Sequence, residues 1–488
     1  MSGMIKTIGG LLRQKKVSCA ELTQAYLDGI AKDNSTLNAY VRVTADRALE
    51  TAGEVDRKIA AGEPLSLLEG IPMTLKDNIS TRGIETTCCS RILKGYTPIY
   101  DATVWQTLQK QNAVLLGKTN MDEFAMGSSC ETSCFGGAAN PFDTGHVAGG
   151  SSGGGASAVG GNLAIYALGS DTGGSIRQPA GFCGLVGLKP TYGAVSRFGL
   201  IAYASSLDQI GPICKTVSDA AAVFETISDR DPMDSTSVGR KESVLAQLEQ
   251  KPDSLTIGVV KEYFHGVDPQ VETALQKAVR TYEKLGAKIV ELSMPAISYA
   301  LPVYYILACA EASSNLGRYD GIRYGYRAEH YNSIHEMICK TRSEGFGPEV
   351  QRRILLGSYV LSAGYYDAYY KKAQNLRGAV IRGFEETFAQ CDVILAPTVP
   401  MTAFPKGFAE QDQVQTYQTD ICTVPVNIAG IPALSMPCGY DRKGLPIGMQ
   451  LIANRFEEKK LLQTAFLFEQ EMAGEIYRKT EWGCRQYA

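Results

Sequence analysis

Short apolar runs alternate along this chain with longer stretches in which apolar residues recur at helical spacing. The apolar runs predict strands at 39–43, 113–118, 163–168, 255–260, 288–292 and 393–396. Residues 70–76 predict a turn followed by a short strand that ends at Lys76. The helical spacing predicts helices at 18–32, 45–61, 103–110, 271–285, 304–317, 348–378 and 457–472, with further helices that start near 156 and 218. Strands that alternate with helices are typical of an α/β fold, and residues 255–292 predict one βαβ unit.

Local signals mark where several of these helices begin and end. Ser18 and Glu21 have the spacing of a capping box, in which each side chain accepts a hydrogen bond from a backbone N–H at the start of the helix. Ser218 is predicted to cap the helix that follows it, and Gly62 and Gly286 are predicted to end the helices before them.

The length of 488 residues allows two or three domains, or one large domain. Between residues 229 and 253 the chain becomes polar, and Pro232, Ser235 and Gly239 interrupt any periodicity. This segment is the strongest candidate for a domain boundary or an insertion.

The predicted helical segment 348–378 is unusually rich in tyrosine. Five of these residues lie at helical spacing: Tyr359, Tyr365, Tyr366, Tyr369 and Tyr370. Such an aromatic stripe is more often part of a core or an interface than of a ligand site.

The charge balance argues against a dedicated nucleic-acid-binding protein. The chain has 48 lysines and arginines against 51 aspartates and glutamates, and 44% of its residues are hydrophobic. That composition is ordinary for a soluble globular protein, whereas a nucleic-acid binder needs a basic patch or stripe. If RNA is involved, we expect another chain to hold most of it.

The cysteines and the N-terminal segment indicate a cytoplasmic protein. The 13 cysteines are odd in number and scattered, which does not suggest a disulfide framework, and neither the adjacent Cys88 and Cys89 nor the pair Cys130 and Cys134 has a nearby histidine in zinc-ligand spacing. Residues 1–16 lack the apolar core of a signal peptide, and no run of about 18 apolar residues occurs. We expect reduced thiols, a cytoplasmic location, no metal site and no membrane segment.

Two loops rich in glycine and serine carry the main chemical signal. Residues 149–155 read Gly-Gly-Ser-Ser-Gly-Gly-Gly, and residues 169–177 read Gly-Ser-Asp-Thr-Gly-Gly-Ser-Ile-Arg. A serine hydroxyl is a weak nucleophile until a neighbouring base takes its proton. Lys76, the last residue of the short strand predicted within 70–76, is the best candidate for that base.

These groups suit a Ser-Ser-Lys hydrolase. To act as a base near neutral pH, Lys76 must lose about three units of pKa, which corresponds to about 4 kcal/mol, and burial against apolar walls can supply this. Ser151 would relay the proton between Lys76 and the nucleophile Ser175. Consecutive backbone N–H groups would form an oxyanion hole, contributed by Thr172, Gly173 and Gly174, with Ser175 itself.

Other interpretations of the same residues fit less well. A Ser-His-Asp triad needs one of the four histidines, of which only His146 precedes a serine loop, and no Gly-x-Ser-x-Gly elbow follows a strand. The loops match neither nucleotide-binding glycine motif. A flexible linker explains the glycines but not the apolar strand between the loops, and on its own Lys76 would be a solvated surface side chain.

At these residues the sequence resembles the amidase signature family. The hallmarks of that family are a lysine, a cis-serine in Gly-Gly-Ser-Ser-Gly-Gly and a nucleophilic serine in Gly-Gly-Ser-Ile-Arg-Gln-Pro, and here they fall on Lys76, Ser151 and Ser175. The signature covers about residues 70–212. The resemblance implies one large α/β domain over 1–488, with a mixed central β-sheet covered by helices on both faces.

Within that family, the whole chain most resembles the glutaminase subunits of tRNA-dependent amidotransferases. The segments that carry this resemblance lie outside the signature, at 311–316, 318–321, 361–370 and 423–427. By this resemblance, Asp420 would hold the α-amino group of glutamine and Arg353 its α-carboxylate, with Tyr304 nearby. Surface ion pairs are the alternative for both charges.

The resemblance also implies partners and cofactors. This chain would release ammonia from glutamine without a cofactor of its own. A tRNA-binding kinase/amidotransferase subunit would use the ammonia with ATP and Mg²⁺, converting Glu-tRNA(Gln) or Asp-tRNA(Asn) to Gln-tRNA(Gln) or Asn-tRNA(Asn). A small third subunit would complete a heterotrimer, and the tRNA would be bound mainly by the partner.

Three hypotheses therefore stand at the level of sequence. The chain is a coupled glutaminase, a free-standing amidase that acts on another small amide, or an inactive scaffold that keeps only the fold. The intact Lys76, Ser151 and Ser175 argue against the scaffold, and Asp420 with Arg353 favours an amino-acid amide.

Overall fold

The chain folds around a single sheet of eleven strands. This computed structural model describes residues 3–240, 242–252, 254–484 and 486. The strands are β1 (Tyr40–Val43), β2 (Pro72–Lys76), β3 (Val114–Thr119), β4 (Tyr166–Asp171), β5 (Val186–Lys189), β6 (Gln209–Cys214), β7 (Thr256–Val260), β8 (Lys288–Leu292), β9 (Val393–Pro397), β10 (Ala433–Tyr440) and β11 (Pro446–Ala453). Their order in the sheet is β1-β3-β2-β4-β6-β5-β10-β11-β9-β7-β8.

The sheet is mixed, as the family resemblance implies. Strand β2 lies parallel to both β3 and β4, and β7 lies parallel to β8 and β9. The strands between these two groups pair antiparallel, from β4 through β6, β5, β10 and β11 to β9. The predicted βαβ unit is confirmed by the parallel pairing of β7 with β8.

Helices flank the sheet along its length. They are α1 (Met4–Arg13), α2 (Cys19–Leu37), α3 (Ala45–Ala60), α4 (Thr103–Lys110), α5 (Gly153–Gly160), α6 (Arg177–Phe182), α7 (Val217–Ile227), α8 (Pro269–Lys284), α9 (Ala300–Asn315), α10 (Ile334–Gly345), α11 (Pro348–Val360), α12 (Lys372–Phe388), α13 (Phe408–Gln411), α14 (Gln413–Gln418), α15 (Val424–Ala429) and α16 (Glu458–Ile476). Short 3₁₀ helices lie at Arg91–Leu93, Glu123–Ala125, Leu245–Gln247, Lys261–Phe264, Pro295–Tyr299 and Leu316–Arg318.

Each face of the sheet packs against its own hydrophobic core. On β9, Val393 and Leu395 belong to one cluster, which also holds residues of α2, α7 and α16. Ile394 and Ala396 belong to the other, which holds residues of α9, α12 and α15. Because successive strand residues point to opposite faces, this alternation confirms that helices cover both faces, and it explains why these strands read as continuous apolar runs.

Several elements lie where the sequence predicts them. Strand β8 and helix α4 have the predicted bounds, and β2 ends at Lys76 as predicted. The Ser18 capping box is present, with its helix continuing to Leu37 rather than stopping near 32. The helix predicted at 457–472 is α16, which continues to Ile476.

Two elements next to the serine loops differ from the prediction. The helix predicted from residue 156 begins at Gly153, and the strand predicted at 163–168 is β4 at Tyr166–Asp171. A Cβ atom on Gly154 would lie 2.4 Å from the Asn120 carbonyl oxygen. Close packing therefore requires glycine in the first turn of α5, and this tertiary contact overrides the poor helix propensity of glycine.

Two predictions about helix ends are wrong. The cap of α7 is Thr216, whose hydroxyl accepts from the Asp219 N–H at 3.2 Å, and not Ser218. The segment 348–378 is not one helix, because α11 ends at Val360 and α12 starts at Lys372, with a π-helical turn at Tyr366–Lys371 between them.

The tyrosines of that interrupted segment do not form a core. The side chains with about two-fifths of their surface exposed are Tyr359, Tyr365, Tyr366 and Tyr369. They pack mainly on one another, with the Tyr359 and Tyr365 ring centres 4.2 Å apart. An interface role remains a prediction.

The described residues of the polar segment, 229–240 and 242–252, pack against the body of the protein. The Asp231 carboxylate accepts hydrogen bonds from the hydroxyls of Ser196 and Thr103, and Val244 and Leu248 belong to the larger hydrophobic cluster. One sheet includes strands from both sides of the segment. A two-sheet, two-domain arrangement is therefore not seen among the described residues.

Two further features of the fold are the state of the cysteines and the environment of the most apolar helix. All 13 cysteines are free thiols, and all but Cys134 and Cys339 are buried. By length and composition alone, one helical stretch of the described chain, Pro295–Arg318, qualifies as a membrane span. It contains α9, which packs against α11 and α12 as a core helix does.

Candidate active site

Lys76 lies at the point where two neighbouring parallel strands end. It is the last residue of β2, and Ser170 lies near the end of the adjacent β4. The carboxyl ends of parallel strands meet at one edge of a sheet, where α/β proteins commonly form their sites. The Lys76 ammonium donates to the Ser170 hydroxyl at 2.9 Å and approaches the Ser170 carbonyl oxygen at 3.3 Å.

The first serine loop reaches the same lysine. Lys76 Nζ and Ser151 Oγ are 2.6 Å apart, and both residues are buried. The peptide bond between Gly150 and Ser151 is cis. The Ser151 carbonyl accepts from the Asp122 N–H at 3.2 Å. The structure thus brings together the predicted base and the predicted proton relay.

Burial changes the acidity of this lysine. Loss of solvation lowers the pKa of Lys76 to about 8, against the opposing influence of carboxylates, of which Asp122 is foremost. Near pH 7 about one lysine in ten is therefore neutral and able to accept a proton. The fall in pKa is somewhat smaller than the three units that the sequence led us to expect.

The second loop is organised by one carboxylate. Asp171 accepts hydrogen bonds from the backbone N–H groups of Gly174, Ile176 and Arg177 at 2.8, 3.1 and 3.4 Å. It also forms a buried ion pair with the Arg177 guanidinium at 3.1 Å. Burial opposes the charge on Asp171, but Arg177 prevails and holds the pKa of the carboxyl well below its usual range. These contacts fix the turn that carries Ser175.

Ser175 lies beside the first serine loop and is 7% exposed. Its carbonyl oxygen accepts from the Ser152 N–H at 3.1 Å, which ties the two loops together next to Ser151. Among the described residues, the hydrogen bonds do not include one between the Ser151 and Ser175 hydroxyls. The relay step between these two hydroxyls therefore remains a prediction.

The predicted oxyanion hole differs at one position. The Gly174 N–H is engaged by Asp171, whereas the backbone N–H groups of Gly173 and Ser175 have no acceptor within the described parts of the chain. The Thr172 hydroxyl donates to Asp208 at 2.6 Å. The amides of Gly173 and Ser175 are thus better placed to serve an oxyanion than that of Gly174.

Tyr304, on α9, packs against this loop. A Cβ atom on Gly173 would lie 2.6 Å from the Tyr304 ring carbon that bears the hydroxyl. Gly174 has φ +134°, and a Cβ atom there would lie 2.3 Å from the Thr423 hydroxyl. Both glycines are therefore needed for the loop to pass between Tyr304 and Thr423.

The two predicted charge-binding residues face a shared aromatic pocket. Asp420 accepts from the Ser128 hydroxyl at 2.9 Å and from the Tyr305 hydroxyl at 3.2 Å. The Arg353 guanidinium lies over the Tyr305 ring, 5.3 Å from its centre. Both charged residues are buried, so neither is the surface ion pair that the sequence left as an alternative.

The pocket opens into a cavity of about 280 Å³. Its walls include Ser128, Glu349, Arg352, Arg353 and Tyr417. Burial raises the pKa of Asp420 to about 7, and the hydrogen bond from Ser128 and the charge of Arg353 only partly offset this. An ammonium group placed beside Asp420 would stabilise the charged carboxylate.

Three contributors to the site escape sequence reasoning. Ser170 is the second partner of Lys76, Ser128 holds Asp420, and Glu349 binds Arg353 Nε at 2.8 Å. Ser170 falls within the second serine loop, one residue before Asp171, so the sequence could have indicated it as a candidate contact of Lys76. Ser128 lies 292 residues from Asp420, and no local pattern connects them.

Within the described ranges, no group of three or more His, Cys, Asp or Glu side chains is arranged to hold a metal ion. His146, which precedes the first serine loop, pairs with Asp143 at 2.8 Å.

Comparison with known proteins agrees with this geometry. The family model described as Amidase matches residues 21–462. The chain is 52% identical to the A subunit of the glutamyl-tRNA(Gln) amidotransferase of Thermosynechococcus vestitus, over 96% of this chain and 97% of that one. The crystal structure of the corresponding A subunit from Thermotoga maritima is 41% identical, covers 93% of this chain and 91% of its own, and superposes with a TM-score of 0.77.

A peptide amidase shares the same architecture. The native peptide amidase from Stenotrophomonas maltophilia is 30% identical and has a TM-score of 0.81, with 98% of each chain covered. The family model spans most of the chain, and the relatives match it almost from end to end. The chain belongs to the amidase family.

Proposed function

We propose that this chain hydrolyses glutamine as the ammonia-supplying subunit of a tRNA-dependent amidotransferase. The observation that carries the proposal is the buried contact of 2.6 Å between Lys76 and Ser151, beside the loop that bears Ser175. The 52% identity to the A subunit of a glutamyl-tRNA(Gln) amidotransferase supports glutamine as the amide and a tRNA-linked reaction as its use.

The first half of the reaction forms an acyl-enzyme. The Ser175 oxygen attacks the side-chain amide carbon of glutamine, and its proton passes through the Ser151 hydroxyl to neutral Lys76. The carbon–nitrogen bond then breaks, and the proton returns to the departing nitrogen, which leaves as ammonia. Water releases glutamate from Ser175 in the second half, with the same groups acting in reverse.

The oxyanion is bound by the backbone of the second serine loop. The N–H groups of Gly173 and Ser175 are the strongest candidates, with Thr172 next to them, and each such donor typically contributes about 3 kcal/mol to transition-state stabilisation. Asp171 acts as a positioning residue, since it holds the turn without facing the substrate.

The amino-acid end of glutamine binds in the aromatic pocket. Asp420 receives the α-ammonium group and Arg353 the α-carboxylate. Tyr304 packs between this pocket and Gly173 and so sets the distance from the charged groups to the scissile amide. The opposite charges on two buried residues support an amino-acid substrate over a plain aliphatic amide.

The ammonia is consumed by a partner. We propose that a tRNA-binding kinase/amidotransferase subunit uses it with ATP and Mg²⁺, and that a small third subunit completes a heterotrimer in the cytoplasm. The net charge of −3 supports a chain that leaves most of the tRNA contact to its partner.

One experiment separates the three hypotheses. Ammonia and glutamate release from glutamine are measured for wild type and Ser175→Ala, with and without the partner subunits and charged tRNA. Release that requires Ser175 and rises with the partners supports the coupled glutaminase. Cleavage of simple amides while glutamine stays intact would favour a free-standing amidase, and no cleavage of any amide would favour a scaffold.

A further inference from the structure

Glu349 is a charged residue of the pocket to which the reaction above gives no role. It lies in the first turn of α11, one helical turn before Arg353, and it is buried. Its carboxylate accepts from Arg353 Nε at 2.8 Å and from the Tyr417 hydroxyl at 2.9 and 3.1 Å. It also pairs with Arg352. Glu349 therefore sits against the cation that is proposed to bind the substrate carboxylate.

The contacts of Arg353 fix its direction. While Nε donates to Glu349, Nη1 donates to the Tyr203 hydroxyl at 2.6 Å. The rings of Tyr203, Tyr305 and Tyr417 surround the guanidinium at 5.3 to 5.8 Å. A planar guanidinium held along its edges and faces has little freedom to turn. Glu349 thus decides which nitrogens remain for a ligand.

Glu349 also contributes to the net charge of the pocket. Arg352 and Arg353 supply two positive charges to the cavity wall. The carboxylates around them are those of Glu123, Glu131 and Glu349, and Asp420 lies next to the cavity through its contact with Ser128. A zwitterionic amino acid leaves this net charge unchanged, because its ammonium meets Asp420 and its carboxylate meets Arg353. A carboxylate without an ammonium adds an uncompensated negative charge to a buried site, which is costly.

We propose that Glu349 is a positioning residue that makes the site select α-amino acid amides over carboxylates that lack the amino group. It does so by holding Arg353 and by cancelling the positive charge that would otherwise attract any carboxylate. This inference rests on the proposed function, since it concerns how the same site recognises the glutamine backbone.

The test compares glutamine with glutaramate, the same amide without the α-amino group. In Glu349→Gln the pocket gains one net positive charge. We expect KM for glutaramate to fall and KM for glutamine to rise, with kcat for each nearly unchanged because the scissile amide lies at the other end of the substrate. The ratio of kcat/KM for glutamine to that for glutaramate should drop by about tenfold or more.

Two further variants keep this test decisive. Glu385→Gln removes an exposed glutamate from α12 and should leave the ratio unchanged. Glu349→Asp keeps the charge but withdraws it by one methylene, so it should shift the ratio in the same direction by a smaller factor, and it serves if Glu349→Gln does not fold. Folding is checked by circular dichroism.

The outcomes separate this inference from the proposed function. If wild type hydrolyses glutamine but both substrates lose kcat/KM in parallel in the Glu349 variants, Glu349 has only a structural role and the inference is overturned. If wild type hydrolyses no glutamine under any condition, the proposed function fails first and the inference fails with it.

Discussion

Removal of the Ser170 hydroxyl should make Lys76 a better base at neutral pH. Ser170 accepts a hydrogen bond from the Lys76 ammonium at 2.9 Å, and this contact favours the charged lysine. A hydrogen bond to a charged group is worth about 1.5–3 kcal/mol, and about 1.4 kcal/mol corresponds to one unit of pKa. In Ser170→Ala the hydroxyl of Ser151 remains as an acceptor and recovers part of the loss. We therefore expect the pKa of Lys76 to fall from about 8 to about 7.

The assay is the pH dependence of kcat at saturating glutamine, between about pH 6 and pH 10, which reports groups in the enzyme–substrate complex. In wild type, kcat should rise with pH to a plateau with a midpoint near 8, because only the neutral amine accepts a proton. In Ser170→Ala the midpoint should move about one unit lower. At pH 7 the variant would then show about half of its own plateau, against about one tenth for wild type.

A matched control distinguishes a lost contact from a general disturbance. Ser157 is also buried, and its hydroxyl donates to the Ala139 carbonyl at 2.7 Å, without contact to Lys76. Ser157→Ala should lower stability and leave the midpoint in place. A midpoint that stays near 8 or rises in Ser170→Ala would contradict this assignment, because Lys76 would then not be the titrating base.

Three further predictions concern the substrate pocket and the second loop. Because burial raises the pKa of Asp420 to about 7, kcat/KM for glutamine should fall more steeply below pH 7 than protonation of Lys76 alone would cause, and Asp420→Asn should remove this extra steepness and raise KM at least about tenfold. Asp171→Asn leaves a buried arginine charge unpaired, which should cost about 3–5 kcal/mol in the free energy of unfolding measured with urea; an unchanged midpoint would argue against the assigned ion pair. Gly173→Ala places a methyl group 2.6 Å from Tyr304 and should abolish activity, whereas Gly10→Ala, with no atom within 4 Å, should be neutral or stabilising by about 0.5–1 kcal/mol.

The structure also explains why Lys76 differs from the other buried lysines. Lys118 is equally buried, but it pairs with Asp77 at 3.3 Å and donates to the Ile79 carbonyl. Lys189 donates only to a backbone carbonyl among its described contacts, that of Pro190. Lys76 alone of the three meets the hydroxyl of a serine in each glycine-rich loop. Burial lowers the pKa of all three lysines, so Lys76 differs from the other two in its hydrogen-bond partners and not in the direction of its pKa shift.

The contacts of Lys76 with the two serine loops could be predicted because the strands next to them are neighbours in the sheet. The catalytic roles of Lys76, Ser151 and Ser175 stay predictions. Lys76 ends an apolar strand, and the loops that hold Ser151 and Ser175 flank a short helix and β4. Strands β2 and β4 are parallel neighbours, so their carboxyl ends bring these segments to one edge of the sheet. The family resemblance then supplied roles that spacing alone does not give.

The residues proposed to bind the substrate were harder to predict from the sequence. Arg353 and Asp420 came only from the resemblance, and their partners depend on contacts between segments far apart in the chain, such as Ser128 with Asp420. The helical segment 348–378 was predicted as unbroken because its spacing is helical throughout. Its tyrosines are exposed, so no core packing enforces one continuous helix there.

The prediction for Gly174 shows a different limit. Its position in the loop suits an oxyanion donor, but the carboxylate of Asp171 takes its N–H. The sequence shows that the loop contains an aspartate three residues before Gly174, but it does not show where the aspartate side chain points. Whether the Gly174 N–H binds Asp171 or a substrate depends on the direction of the Asp171 side chain. A sequence pattern does not give that direction.

The proposed acyl-enzyme on Ser175 can be trapped by acid quenching during turnover of isotopically labelled glutamine and located by peptide mass spectrometry. We expect a labelled γ-glutamyl ester on Ser175, absent from Ser175→Ala and strongly reduced in Lys76→Ala. Ammonia release without any adduct on Ser175, or an adduct on Ser151 or on a cysteine, would show that Ser175 is not the nucleophile.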